Sequence, residues 1–158
     1  MRYFFILSVI NELRFNITLW TAVLAWAVAQ IIKTAVEYGR TKKINVTLLF
    51  GSGGMPSSHT SFVCAMTTAV GLRNGFETSV FALCCVFSLV VMYDSAGVRR
   101  AAGKQAEIIN QLVEVIENTG IQMDKKLKEL LGHSPVEVAA GAVLGIVIAV
   151  VAARLQGA

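Results

Sequence analysis

From Val138 through Ala153 the chain carries no charged residue, and the enclosing run Val136 to Leu155 is long enough to cross a bilayer. Phe15 to Lys33 is a second such run, with Trp20 and Trp26 inside it. A spanning helix needs about 20 mainly apolar residues. Inside hydrocarbon each backbone N–H and C=O has to be bonded within the protein, and a helix does this segment by segment. Two such runs in 158 residues, a length suited to one domain, leave little room for a water-soluble core. Composition agrees. Hydrophobic residues make up 55% and charged residues 15%, against about 45–50% and about 25% in soluble domains. The mean hydropathy is +0.64.

Two shorter apolar segments lie between these runs. His59 to Leu72 is short for a hydrocarbon core of about 30 Å. It follows a short apolar dip, Val46 to Phe50, and the glycine-rich stretch Gly51-Ser52-Gly53-Gly54-Met55-Pro56-Ser57-Ser58-His59. Together these predict a broken or re-entrant segment, because irregular backbone survives at membrane depth when protein surrounds it. Arg73-Asn74-Gly75-Phe76-Glu77 reads as a tight turn, and Ser79 to Tyr93 as the next span. Tyr3 to Ile10 is too short to cross and is expected to lie at the interface or half-inserted.

From Ala96 the character changes. Ile108, Ile109, Leu112, Val113 and Ile116 recur at helical spacing between Glu107, Gln111, Glu114 and Glu117. This predicts an amphipathic helix from Ala96 to Asn118 outside the bilayer core, closed by Gly120. A shorter charged helix is expected from Asp124 to Leu131, ended by Gly132. The expected fold is all-α: a polytopic membrane helical bundle of about four spans, with a re-entrant glycine-rich segment. Residues 96–132 form a cytoplasmic helical insertion within one integral membrane domain covering 1–158. No internal repeat is evident, and the N-terminus lacks the A-x-A site of a cleavable signal peptide.

Charge orients this topology. The end of span one, the start of span two, the end of span three and the start of span four share one side. That side carries Lys33, Arg40, Lys42, Lys43, Arg99, Arg100, Lys104, Lys125, Lys126 and Lys128, ten basic residues. The other side carries four: Arg2, Arg14, Arg73 and Arg154. Positive charge marks the cytoplasmic side, so a plasma membrane location with the polar motifs facing the cytoplasm is expected. The net charge of +4 suits an anionic lipid surface. Nucleic acid is disfavoured, because the basic residues sit at the ends of apolar runs and form no long basic face. Cys64, Cys84 and Cys85 lie in apolar segments without metal-ligand spacing and read as small buried hydrophobes.

Four polar clusters stand out against this background. Lys33 and Arg40 are seven residues apart, hence on one helix face if the helix continues. Two cations aimed at one point suit a phosphate; a cationic anchor at a helix end is the plainer role. The stretch ending at Ser57-Ser58-His59 combines flexible backbone with an expected helix start, where N–H groups can cradle an anion. His59 is placed there to protonate a leaving alkoxide, although a glycine turn with a capping serine would look similar. His133 and Glu137 are one turn apart, so the carboxylate can hold the imidazole tautomer and stabilise its charge. That pairing suits a nucleophile able to form a covalent phospho-intermediate; the alternative is a helix cap with Pro135 in its first turn. Finally, Asp94 lies near Arg99 and Arg100. It either pairs with them structurally or orients one of them toward phosphate.

In this order, the clusters resemble the type 2 phosphatidic acid phosphatase superfamily, which includes the vanadium-dependent haloperoxidases, and within it a small divergent branch. That superfamily carries K-x6-R-P, then P-S-G-H, then S-R-x5-H-x3-D. Lys33 and Arg40 correspond to the first motif, with Thr41 in place of proline. Pro56-Ser57-Ser58-His59 corresponds to the second, with Ser58 in place of glycine. His133 and Glu137 correspond to the end of the third, with glutamate in place of aspartate, and Arg99 or Arg100 stands in for its arginine across the inserted helices. The resemblance implies that His133 attacks phosphorus, oriented by Glu137, and that His59 protonates the leaving group. Lys33, Arg40, Ser57, Ser58 and one of Arg99 and Arg100 would neutralise phosphate oxygens.

The expected function is therefore metal-independent hydrolysis of a membrane lipid phosphomonoester, of the phosphatidylglycerophosphate or polyprenyl-phosphate type, without cofactor. The expected partners are the lipid phosphate and the bilayer, with a homo-oligomer left open. A lipid-phosphate binder or transporter without turnover is the first alternative, and a structural membrane subunit the second.

Overall fold

The computed structural model describes residues 2–42, 54–117 and 132–157, and of residues 2–5, 99 and 117 the helical backbone only. Every regular element among the described residues is helical. The Val46–Phe50 dip, Gly51 to Gly53, the expected stop at Gly120 and the charged helix Asp124–Leu131 lie outside the described residues.

α1 covers Arg2–Arg14 and α2 covers Ile17–Thr41. Asn16 caps α2, its side chain accepting the Leu19 N–H at 3.0 Å. α2 does not stop at Lys33 but continues past Arg40, closing where Lys42 turns left-handed at φ 55°. α3 covers Ser58–Asn74 and ends at Gly75, whose φ of 98° suits glycine best. This is the tight turn expected at Arg73 to Glu77. Thr78 then caps α4, Ser79–Tyr93, by accepting the Phe81 N–H at 3.3 Å.

The largest departure from the sequence reading comes next. α4 does not break where the composition changes. A single π turn, Asp94–Val98, carries it into α5, Arg99–Glu117. Ser79 to Ile116 is one continuous helical run of 38 residues. Composition reports which solvent a segment faces; the backbone ladder can run through that boundary. α6 covers Pro135–Leu155.

Among the described residues three helical segments are long and apolar enough to cross a bilayer: Ile17–Thr41, the run from Ser79, and Pro135–Leu155. α3, with 17 residues, is about 25 Å long at 1.5 Å per residue. It is also the most polar of the packed helices, and it is enclosed by α2, α4 and α6. Ser61 Oγ donates to the Ala25 carbonyl of α2 at 3.2 Å. Thr67 Oγ1 and Ser88 Oγ of α4 lie 2.7 Å apart, and Ser88 Oγ also reaches the Val63 carbonyl at 3.2 Å. Such hydroxyls tie helices together where lipid offers them no partner.

α6 approaches α3 through Gly141 and Gly145, a G-x-x-x-G pair. A Cβ at Gly141 would collide with the Ser57 carbonyl, and one at Gly145 with the Ser61 carbonyl. Small residues let the two backbones touch, which replaces the hydrophobic drive missing between helices in lipid. The surrounding core is equally small, built on Ala25, Ala65, Ala69 and Ala149. Outward, Leu83, Val86, Leu89 and Val90 of α4 are exposed, as a lipid-facing surface requires. Cys64 is buried, Cys84 and Cys85 are half-buried, and all three are free thiols. Ile108, Ile109 and Leu112 of α5 are exposed.

Candidate functional site

The buried face of α2 steps through Ala22, Ala25, Ala29 and Lys33. The stripe that packs the helix against its neighbours therefore ends on a lysine, only 2% exposed. Its aliphatic stem lies against Gly54, where an added Cβ would sit 2.9 Å from Lys33 Cγ and Cδ. Gly54 is needed twice over, for that contact and for its φ of +82°. Arg40, two turns further along the same face, is exposed.

From Gly54 the chain turns into α3. Ser57 caps that helix: its Oγ accepts from the Thr60 backbone N–H at 3.4 Å and from Thr60 Oγ1 at 3.0 Å. Ser57 and Ser58 are both buried. The Ser57 N–H donates to the Glu137 carbonyl at 3.0 Å. That bond joins the start of α3 to the first turn of α6, and thus the second sequence motif to the third.

His133 lies just before α6 and is 3% exposed. Three contacts hold it. Its backbone N–H donates to the Ser95 carbonyl in the π turn at 3.1 Å. Its Nδ1 is 3.1 Å from Glu137 Oε2. Gly132 before it passes so close to the Arg100 backbone that no Cβ would fit. Glu137 Oε2 also accepts the Ser134 N–H at 3.0 Å, while Ser134 Oγ accepts the Glu137 N–H at 3.3 Å. This is a reciprocal capping box. One carboxylate oxygen thus serves both the helix cap and the contact to the imidazole. A carboxylate at Nδ1 places the ring proton there, so in the neutral ring Nε2 carries the lone pair. Nε2 is buried and has no hydrogen-bond partner among the described residues.

His59 lies at the second residue of α3. It is exposed and lines a cavity of about 510 Å³ between α2, α3 and α4. Asp94 lines the same cavity, and the remaining walls are Trp26, Phe62, Val63, Phe87, Val90 and Val91. Its polar groups sit at the end where α3 begins and α4 turns into the π helix; the rest is apolar.

Hydrogen bonds thus join Ser57, Glu137, His133 and Ser95 in one buried cluster, with Lys33 packed on the turn that leads to Ser57. His59 and Asp94 share the adjoining cavity, next in sequence to Ser58 and Ser95. Arg40 and Arg100 are exposed and outside the cluster, though the Arg100 backbone abuts Gly132. The Arg99 side chain lies outside the described residues. Sequence reasoning missed Ser95, which carries no motif signal, and the role of Ser134, whose S-x-x-E spacing was a readable capping box. No group of three or more His, Cys, Asp or Glu side chains among the described residues is arranged to hold a metal ion.

Helices of bilayer length around a buried histidine paired with a partly exposed carboxylate define a polytopic membrane protein whose polar centre sits at one end of the bundle. Residues 15–148 match the Divergent PAP2 family, and the chain belongs to it. The chain is also similar to a protein of Bacillus subtilis (strain 168) named uncharacterized membrane protein YuiD. The two are 39% identical over 153 residues, covering 90% of this chain and 97% of the relative. No solved structure matches the chain.

Proposed function

We propose that the protein is a membrane lipid phosphatase that cleaves phosphomonoesters through a phosphohistidine at His133. The observation that carries this reading is the state of the His133 ring. Nδ1 is tied to Glu137 at 3.1 Å, and Nε2 is buried without a partner among the described residues. A buried polar atom left unpaired costs about 1–3 kcal/mol, a cost that persists where function requires the atom. Membership of the Divergent PAP2 family points the same way.

In the proposed cycle Nε2 attacks phosphorus and the bond to the lipid oxygen breaks. His59 gives that oxygen a proton, and Glu137 stabilises the imidazolium. Water then attacks the phosphohistidine and releases phosphate. Lys33, Arg40, Ser57 and Ser58, with one of Arg99 and Arg100, neutralise the phosphate oxygens. The apolar cavity beside His59 suits the substrate's hydrocarbon chain, which favours a lipid such as a phosphatidylglycerophosphate or polyprenyl phosphate. Four crossings, with this site at the cytoplasmic face of a bacterial plasma membrane, complete the reading.

A second reading, anion binding without turnover, draws on the enclosure of Nε2 and the exposure of Arg40 and Arg100. In this conformation phosphorus reaches Nε2 only after neighbouring side chains shift. Phosphate release from a panel of lipid phosphates by purified full-length protein separates the two. Phosphatase action requires that His133→Ala abolish release, and that His59→Ala lower it about 10²–10⁴-fold, most for poor leaving groups. Release that survives His133→Ala rejects the phosphohistidine. Absence of release from every lipid, with binding retained, leaves the binder.

A further inference from the structure

The His133 cluster contains a second buried polar atom that the phosphatase reading does not use. Ser95 is 3% exposed, and its Oγ has no hydrogen-bond partner among the described residues. It lies in the π turn, and its own carbonyl holds the His133 backbone N–H at 3.1 Å. Two residues bonded directly to each other thus each present an enclosed, unsatisfied polar atom. The rest of the cluster is well paired: Ser57, Ser134 and Glu137 all have their partners. π turns are rare and concentrate at functional sites, and a serine inside a helix normally bonds its hydroxyl back to the preceding turn, as Thr67 and Thr68 do here at 2.9 and 2.8 Å. Ser95 does not.

We propose that the Ser95 hydroxyl is a further anion-binding group of the His133 site, donating its proton to an oxygen of a tetrahedral phosphate-like oxyanion held there. The chemistry fits both atoms. The serine has a proton to give, and an unprotonated Nε2 has a lone pair for the central atom. Ser95 binds phosphate; it neither forms nor breaks a bond. The inference rests on the reading of His133 as the phosphate-facing residue.

Two measurements on the purified full-length protein test it. The first is the thermal midpoint without ligand, and the second is the affinity for orthovanadate and for inorganic phosphate, read from midpoint shifts. Ser95→Ala removes the hydroxyl and little else. Without ligand it deletes a buried unsatisfied group, so the midpoint should rise by roughly 2–4 °C. With ligand it deletes a hydrogen bond to a charged oxygen, so both anions should bind about tenfold more weakly. A hydroxyl with a merely structural role would move the midpoint the other way. A lower unliganded midpoint therefore overturns the proposal. So does unchanged anion affinity in Ser95→Ala when His133→Ala abolishes binding, a result that leaves the phosphatase reading standing. If neither anion shifts the wild-type midpoint, the site accommodates water only, and the phosphatase reading falls with it.

Discussion

Replacing Glu137 with alanine should destabilise the protein well beyond the loss of a helix cap. Glu137 Oε2 serves two donors, the Ser134 N–H at 3.0 Å and His133 Nδ1 at 3.1 Å. Losing the first removes one half of the capping box, about 1 kcal/mol. Losing the second strands a ring N–H on a residue only 3% exposed, for about 1–3 kcal/mol more. Removing the carboxylate also returns some desolvation energy, but this side chain is a quarter exposed (25%), so the refund is small. The net expectation is about 2–4 kcal/mol. Ser134→Ala removes only the other half of the box, the Oγ that accepts the Glu137 N–H at 3.3 Å, for about 1 kcal/mol. Glu137→Gln should fall below both, since one amide oxygen with two lone pairs can accept from both donors. The assay is reversible unfolding in mixed micelles with rising denaturing detergent, comparing midpoints at equal slope. If Glu137→Ala and Ser134→Ala unfold together, the His133–Glu137 contact contributes nothing to stability and the reasoning fails.

Gly145→Ala should cost about 1–3 kcal/mol by forcing α6 off the Ser61 carbonyl, whereas Gly97→Ala, with nothing within 4 Å of its new Cβ, should change stability by less than about 1 kcal/mol; equal midpoints in the same unfolding assay would refute the close α3–α6 crossing. With Cys64, Cys84 and Cys85 replaced, Lys42→Cys and Lys104→Cys should resist an impermeant thiol reagent in intact cells, because the proposed four-span topology would put ten of the fourteen basic residues on that side. Ready labelling from outside would reverse the orientation.

The membrane character and the helical class were legible in the sequence because both follow from local quantities. Uncharged runs such as Val138 to Ala153 fix the solvent, and the solvent fixes the helix. The turn at Gly75 and the start of α6 at Pro135 were legible for the same reason, since caps and left-handed glycines are chosen by their immediate neighbours. The pairing of His133 with Glu137 needed only one helical turn. What lay further apart was decided by packing. Lys33 and Arg40 share a helix face in the sequence, yet one is buried against Gly54 and the other exposed, because burial depends on what stands opposite. The sequence predicts one helix ending at Tyr93 and another beginning at Ala96, where the structure has a π turn and an unbroken helix. Ser95 had no signal at all. Its importance comes from lying against a histidine 38 residues away in sequence, and that proximity exists only once Gly132 has brought the chain against the first turn of α5.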